Sequence, residues 1–184
     1  MQSEKVCNLF SAFKYMKYRV YIFIGLIIIA LGCFSCSEKQ NSNVLSREFE
    51  GEVWPRFEFL TASYNVVKAP MTADLVLDIE VSDVFPDIYP YSEADFGILS
   101  FAMTINAPDG SRRSREYTFR LKDNDGNFKA EKIDGYYHYS LPLISGMSFN
   151  VKGDYEFKIE NKYHKDPLYG VKCLKINCLQ IKVE

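Results

Sequence analysis

The feature that most constrains this fold is an alternation of apolar and polar side chains that recurs after residue 47. Residues 74–81, 116–121 and 154–159 each place an apolar side chain at every second position. Because successive side chains of a strand point to opposite faces, this period predicts strands with one face against a core. Residues 96–105 are apolar on both faces, as is typical of a central strand. No stretch after residue 47 shows a sustained helical stripe.

Turn signals separate these segments and predict antiparallel pairing. Pro108, Asp109 and Gly110 lie between two predicted strands, where Pro presets the first turn dihedral and Gly accepts a positive φ. The next reversal is marked by Asp-Asn-Asp-Gly at residues 123–126. Seven or eight such strands predict an all-β domain over residues 47–184, an antiparallel β-sandwich that resembles a jelly roll.

The last predicted strand carries one irregularity. Its apolar side chains change from one face to the other between Cys178 and Leu179. An extra residue in one strand shifts the side chains that follow it to the opposite face, so we predict a β-bulge there.

The N-terminal segment has the layout of a secretory signal. Residues 20–34 are apolar and uncharged, and three basic residues lie just before them. The run is shorter than the roughly 18–20 residues of a membrane-spanning helix, which is the less favoured alternative. Because Met16 begins a normal signal of this kind, residues 1–15 are interpreted as an over-extended start.

Two cysteines at the end of this segment are candidates for lipidation. Small residues precede both, Gly32 before Cys33 and Ser35 before Cys36, as lipoprotein signal peptidase requires. We favour Cys36, because cleavage before Cys33 leaves an aromatic residue and an extra thiol at the bilayer. Palmitate-type chains contribute about 0.8 kcal/mol per buried methylene, so several chains give stable membrane anchoring.

Cleavage before Cys36 divides the chain into three parts. Residues 1–35 form the signal peptide, residues 36–46 a lipidated flexible tether, and residues 47–184 the sandwich. The mature chain then carries 18 basic and 23 acidic side chains, a net charge of −5. This balance gives no reason to expect nucleic-acid binding or attraction to anionic headgroups, so membrane attachment is predicted to rest on lipid alone.

Sequence motifs for catalysis or metal binding do not emerge. His138 and His164 have no second ligand at helical or strand spacing, and a zinc site needs three or four. Residues 123–126 do not continue as a calcium-binding EF-hand loop, because positions 121 and 132 hold Leu and Lys. Cys173 and Cys178 are five residues apart, which places them on opposite faces of a strand as free, partly buried thiols. We therefore predict no enzyme, no metal and no cofactor.

Aromatic residues are the one excess in the composition, at 15% of the chain with 13 tyrosines. A tyrosine combines an apolar ring with a polar hydroxyl, which suits recognition of proteins or sugars. An aromatic-rich core with tyrosines at its rim is the simpler alternative. The candidate partner or ligand surface consists of Trp54, Tyr89, Tyr91, Tyr136, Tyr137 and Tyr139.

Several short motifs occur in order behind the signal. They are Trp54-Pro55-Arg56-Phe57-Glu58-Phe59, Tyr89-Pro90-Tyr91, Pro108-Asp109-Gly110, Asp125-Gly126, Gly153-Asp154-Tyr155-Glu156-Phe157 and Asp166-Pro167-Leu168-Tyr169-Gly170-Val171. In this order the chain resembles the gliding-motility lipoproteins of the GldH type, as a divergent member. The resemblance implies a non-enzymatic envelope lipoprotein that supports gliding or an associated secretion assembly, with other envelope proteins as partners.

Two further expectations complete this interpretation. Ser37, rather than Asp, follows the lipidated residue, which by analogy with the usual sorting rule favours the outer membrane. The alternative function is a surface lipoprotein that binds carbohydrate or peptide through its tyrosine-rich loops.

Overall fold

A computed structural model describes residues 41–86 and 97–181 of the chain. Apart from a short 3₁₀ helix, Glu50–Glu52, the regular elements of these residues are strands. The strands in chain order are β1 (Asn41–Glu48), β2 (Val53–Trp54), β3 (Leu60–Val66), β4 (Met71–Val81), β5 (Ile98–Asn106), β6 (Arg112–Arg120), β7 (Lys132–Ile133), β8 (Tyr136–Phe149), β9 (Gly153–Asn161), β10 (Leu168–Tyr169) and β11 (Val171–Ile181). The described segments include no helix that is both long and apolar enough to span a membrane.

The strands form an antiparallel sandwich with the connectivity of a jelly roll. One sheet has the order β1-β11-β4-β8-β7 and the other the order β3-β9-β5-β6, while β2 and β10 form a separate two-stranded ladder. Numbered along the chain without the two-residue strands, the eight long strands lie in the orders 1-8-3-6 and 2-7-4-5. This is the jelly-roll arrangement of two interleaved four-stranded sheets. The predicted fold class is confirmed.

The core lies between the sheets and consists of the alternating positions that the sequence predicts. Leu75, Leu77 and Ile79 of β4 are at most 1% exposed. In the opposite sheet β5 lies between β9 and β6, and its Phe101 side chain is completely buried, as expected of a central strand. The Phe149 ring of β8 meets the Tyr155 ring of β9 edge-on at 4.9 Å.

The sandwich begins earlier than predicted. Residues 41–46, expected in the flexible tether, belong to β1, which pairs with β11. Val44 and Leu45 are both buried, and the ladder uses the backbone groups of this polar segment. The sequence hides this strand because only two of its residues are apolar. The expected signal, residues 1–35, and the two candidate cysteines Cys33 and Cys36 lie outside the described residues.

The bulge predicted in β11 is wrong in position. Pairing with β4 continues without interruption through Cys178 and Leu179, and the irregularity lies between Val171 and Cys173. One extra residue there allows Val171 and Leu174, three positions apart, both to be completely buried. The apolar face changes after Cys178 because Leu179 lies near the strand end, where it is only half-buried.

Both predicted turns are present. Residues 107–111 connect β5 to β6, where Gly110 has a φ of +84° and donates its N–H to the Ala107 carbonyl at 3.0 Å. In the second turn the Asp123 carboxylate accepts the N–H groups of Asp125 and Asn127 at 2.9 and 2.8 Å. These bonds hold the pKa of Asp123 below its usual value, with the Asn127 N–H as the main cause. The segment is a turn, as predicted.

The two ends of the sandwich have different origins in the chain. At the proximal end β1 begins, β11 ends, and the connections 67–70, 107–111 and 150–152 join the strands. At the distal end lie the connections 49–59 and 121–135, the segment 162–170 with β10, and the described part, residues 82–86, of the connection after β4. Candidate partner-binding residues fall mainly at the distal end.

Candidate functional site

Trp54, predicted on a partner surface, lies instead in the core of the distal end. The β2–β10 ladder places it opposite Leu168, and its side chain is completely buried with its ring 5.4 Å from that of Phe49. The buried Asn161 donates from Nδ2 to the Trp54 carbonyl at 3.0 Å. The ladder turns the indole inward, so Trp54 stabilises the distal end and is not part of its exposed surface.

Tyr136 connects the start of β8 to the 3₁₀ helix through a hydrogen bond. Its hydroxyl donates to Glu52 Oε1 at 2.8 Å, and Ser82 Oγ donates to Glu52 Oε2 at 2.5 Å. The hydrogen bond to Glu52 is the main reason that the pKa of Tyr136 lies above its ordinary value. The Tyr136 hydroxyl is therefore occupied by the protein's own carboxylate.

Tyr137 and Tyr139 also direct their hydroxyls to neighbouring connections. Tyr137 donates to Asp83 Oδ1 at 3.1 Å, and its ring stacks on Phe128 at 3.8 Å. Lys132 also donates to Asp83, and this bond is the main cause that lowers the pKa of the Asp83 carboxyl. Tyr139 donates to the Leu121 carbonyl at 2.6 Å, and burial raises its pKa.

The structure therefore describes only some of the tyrosines of the predicted surface. Tyr136, Tyr137 and Tyr139 are half-buried side chains that connect the distal loops to β8. Tyr89 and Tyr91 lie outside the described residues. The three described tyrosines fit the alternative of an aromatic rim around the core.

Exposed apolar side chains at the distal end were missed in the sequence interpretation. Among residues 41–86 and 97–181, most of the large hydrophobic side chains that remain exposed lie there, led by Phe57 at 75% exposure. The others at this end are Phe59, Val84, Ile133 and Tyr169. Scattered exposed apolar residues are ordinary, but their concentration at one end is a feature of protein-binding surfaces. The sequence signal for Phe57 and Phe59 is their alternation with Glu58, which does not show whether the two rings face the core or the solvent.

Basic side chains cover part of the two exposed phenylalanines. Lys158 Nζ lies 3.8 Å from the centre of the Phe59 ring, and the Arg56 guanidinium lies 5.9 Å from that of Phe57. Arg56 is itself held, since its N–H donates to Asp166 Oδ1 at 2.9 Å and its guanidinium to the His164 carbonyl at 3.2 Å. The connection that presents Phe57 is therefore fixed to the segment before β10.

Lys122 is a second residue that the sequence does not mark. It is 2% exposed, and its ammonium donates to the Phe85 carbonyl at 3.1 Å and lies 4.2 Å from the centre of the Phe128 ring. A Cβ on Gly97 would lie 2.6 Å from the Lys122 side chain. Gly97 thus leaves the space in which a buried lysine holds the connection after β4.

The outer face of the five-stranded sheet has a shallow cavity of about 290 Å³. Its lining includes Glu80, His138 and Cys173, with 3.6 Å between the carboxylate of Glu80 and Nδ1 of His138. Cys173 and Cys178 are free, as predicted, and both are buried rather than partly buried. Among residues 41–86 and 97–181, no three His, Cys, Asp or Glu side chains converge as a metal site would require.

We expect the Cys173 thiol to give the fold a pH dependence in the alkaline range. Burial, followed by the nearby Glu80 carboxylate, raises its pKa from 9.0 to about 11. As the pH rises, the thiol ionises in the unfolded chain before it ionises in the folded one. The contribution of Cys173 to the free energy of unfolding is therefore fully present below about pH 9 and is lost as the pH rises towards 11. Urea unfolding at several pH values measures this loss. Cys173→Ala should lose less stability than the parent chain between pH 9 and 11, and an equal loss would contradict the assignment.

The family model for the GldH lipoprotein matches residues 46–176, which is well over half of the chain and nearly the whole sandwich. The chain belongs to the GldH lipoprotein family. It is therefore a lipoprotein of the gliding-motility type, and the resemblance drawn from the ordered motifs is confirmed. Membership in a GldH lipoprotein family indicates a membrane-associated place in the cell envelope, and the family is not known as enzymatic.

Solved structures similar to this GldH-family chain are β-rich and distant in sequence. An exo-β-1,3-galactanase from Phanerochaete chrysosporium, solved with galactose, is 10% identical over 78% of this chain, with a TM-score of 0.33. This chain spans only 28% of that enzyme. A CBM36-1 domain of a multidomain xylanase from the hindgut metagenome of Trinervitermes trinervoides is 11% identical over 77% of this chain and 91% of its own, with a TM-score of 0.34.

A family 35 carbohydrate-binding module from Clostridium thermocellum is 8% identical over 76% of this chain and 93% of its own, with a TM-score of 0.30. A search among curated proteins gives no match.

Proposed function

We propose that this protein is a non-enzymatic lipoprotein, anchored through Cys36 to the outer membrane, that supports gliding or an associated secretion assembly by binding other envelope proteins. Family membership over residues 46–176 carries the general class. The observation that carries the binding role is the concentration of exposed apolar side chains at the distal end. A lipid anchor confines such a surface to the membrane, which raises its effective concentration for partners there.

The distal end is suited to a protein partner for two reasons. Its exposed side chains include phenylalanine and tyrosine rings, which are enriched at protein interfaces. Its connections are also held in place, by Arg56 on Asp166 and by Tyr136 on Glu52, so binding requires little further ordering. The hydroxyls of Tyr136, Tyr137 and Tyr139, by contrast, bond to groups of the domain itself, so these three tyrosines do not support the carbohydrate-binding alternative.

Site-directed cross-linking in intact cells tests this role. A photoreactive amino acid is placed at Phe57, which is exposed at the distal end, and separately at Thr118, which is exposed on β6. We expect position 57 to give a discrete adduct with another envelope protein and position 118 to give none. Equal adducts at both positions, or only monomer at position 57, would contradict a binding role for the distal end.

A further inference from the structure

The proximal end carries a charge opposite to that of the domain as a whole. Its three connections, with two strand residues on each side of each connection, contain four basic and two acidic side chains. The basic residues are Lys68, Arg112, Arg113 and Lys152, and the acidic residues are Asp109 and Asp154. All six are exposed. The net charge of the mature chain therefore conceals a basic end.

These basic side chains are not neutralised by the acids beside them. Asp109 accepts the Ser111 N–H at 2.9 Å, and Asp154 accepts from Asn65 Nδ2 at 2.6 Å. Within the described segments, the ion pairs shorter than 4 Å involve none of the four basic residues. Their charges remain available to a ligand or a surface.

The distal end has the opposite balance. Counted in the same way, its described connections and their flanking strand residues hold twelve acidic side chains against nine basic ones. The charge of the sandwich is thus separated along its long strands, basic where β1 begins and acidic where β1 ends. A domain polarised in this way turns its basic end towards an anionic surface.

Two of the basic residues stand at a concave site. A cavity of about 200 Å³ lies between the connection 107–111 and the connection 150–152, and its charged lining residues are Arg112, Arg113 and Asp109, two positive charges against one negative. Guanidinium groups bind phosphate oxygens through paired N–H donors, which makes arginine suited to phospholipid headgroups. Val67, 73% exposed beside Lys68, adds an apolar side chain to the same end.

From this arrangement we propose that the proximal end docks on anionic phospholipid headgroups of the membrane that holds the anchor. The proposal rests on the proposed lipidation of Cys36. Only five peptide units separate Cys36 from Asn41, the first residue of β1, and they span at most about 18 Å. The basic end is therefore held beside the headgroups, and the apolar distal end faces away from them. Membrane attachment then depends on the charge of the proximal end as well as on the lipid, whereas the net charge of the mature chain predicted attachment by lipid alone.

Fluorescence quenching of the acylated protein tests this orientation. The protein is labelled through Ser111→Cys at the proximal end or Phe57→Cys at the distal end, since the native thiols Cys173 and Cys178 are buried. It is reconstituted into phosphatidylcholine vesicles with a headgroup quencher, with or without phosphatidylglycerol. With phosphatidylglycerol we expect quenching at position 111 to exceed that at position 57 by at least about twofold. High salt should remove the part of this difference that phosphatidylglycerol adds, while the short tether alone still keeps position 111 nearer the headgroups.

A charge-matched pair of variants separates docking from general electrostatics. Arg112→Glu with Arg113→Glu should abolish the extra quenching, whereas Arg120→Glu with Lys129→Glu, at the distal end, should retain it. The same quenching in both variants, or no dependence on phosphatidylglycerol, would overturn the proposal. Protein that fails to float with the vesicles would instead refute the lipid anchor, so the two failures are distinct.

Discussion

Replacement of Trp54 by alanine is expected to lower the free energy of unfolding by about 3–5 kcal/mol. The side chain is completely buried between the β2–β10 ladder and Phe49, so its removal leaves a cavity that the surrounding strands fill only in part. Because Asn161 bonds to the Trp54 backbone carbonyl, that hydrogen bond survives the substitution, and the loss reports packing.

Urea unfolding of the chain from residue 37 onward measures this effect. Phe57→Ala is the matched control, since it removes an aromatic ring three residues away that is 75% exposed, and it should change stability by less than about 0.5 kcal/mol. A Trp54→Ala loss as small as that of the control would contradict the placement of Trp54 in the core.

Replacement of Cys36 by serine is expected to reduce fatty-acid incorporation into the protein to background. A serine hydroxyl does not replace the thiol that lipoprotein maturation modifies, and each lost chain removes about 0.8 kcal/mol of anchoring per methylene. Metabolic labelling with an alkyne fatty acid, followed by immunoprecipitation, measures incorporation. Cys33→Ser is the control and should keep its label. The reverse result would assign the anchor to Cys33.

The long strands and the turns between neighbouring strands follow from local sequence. Residues such as Leu75, Leu77 and Ile79 alternate with polar neighbours, and a half-buried strand is the structure that satisfies this pattern. Turn residues such as Gly110 then fix where pairs reverse. The central position of β5 was also predictable, because a strand covered on both faces shows no polar side.

Features set by tertiary contacts were not predictable in the same way. Strand β1 carries only Val44 and Leu45 as apolar residues, and its pairing with β11 supplies the stability that its own pattern does not show. Trp54 is buried by a ladder between strands of two residues each, separated by more than a hundred positions. The irregularity at Lys172 depends on which of its neighbours must face the core.

The candidate site shows the same limit. The composition indicated an excess of aromatic residues but not which of their rings the fold would cover. Tyr136 is half-buried and bonds to Glu52, whereas Phe57 stays exposed, and both outcomes depend on tertiary contacts. The net charge likewise gives only the sum over the domain, which is mildly acidic, and does not show that one end is basic and the other acidic. Only the strand order brings Lys68, Arg112 and Lys152 to one end.

Mass spectrometry of the N-terminal peptide from the mature, membrane-extracted protein tests the central claim most directly. Both the proposed orientation of the sandwich and the proposed partner-binding role of its distal end depend on a lipid attached a few residues before β1. We expect the peptide to begin at Cys36 and to carry the added mass of its acyl chains. An unmodified Cys36, or a peptide that still contains the bond between Ser35 and Cys36, would contradict the claim.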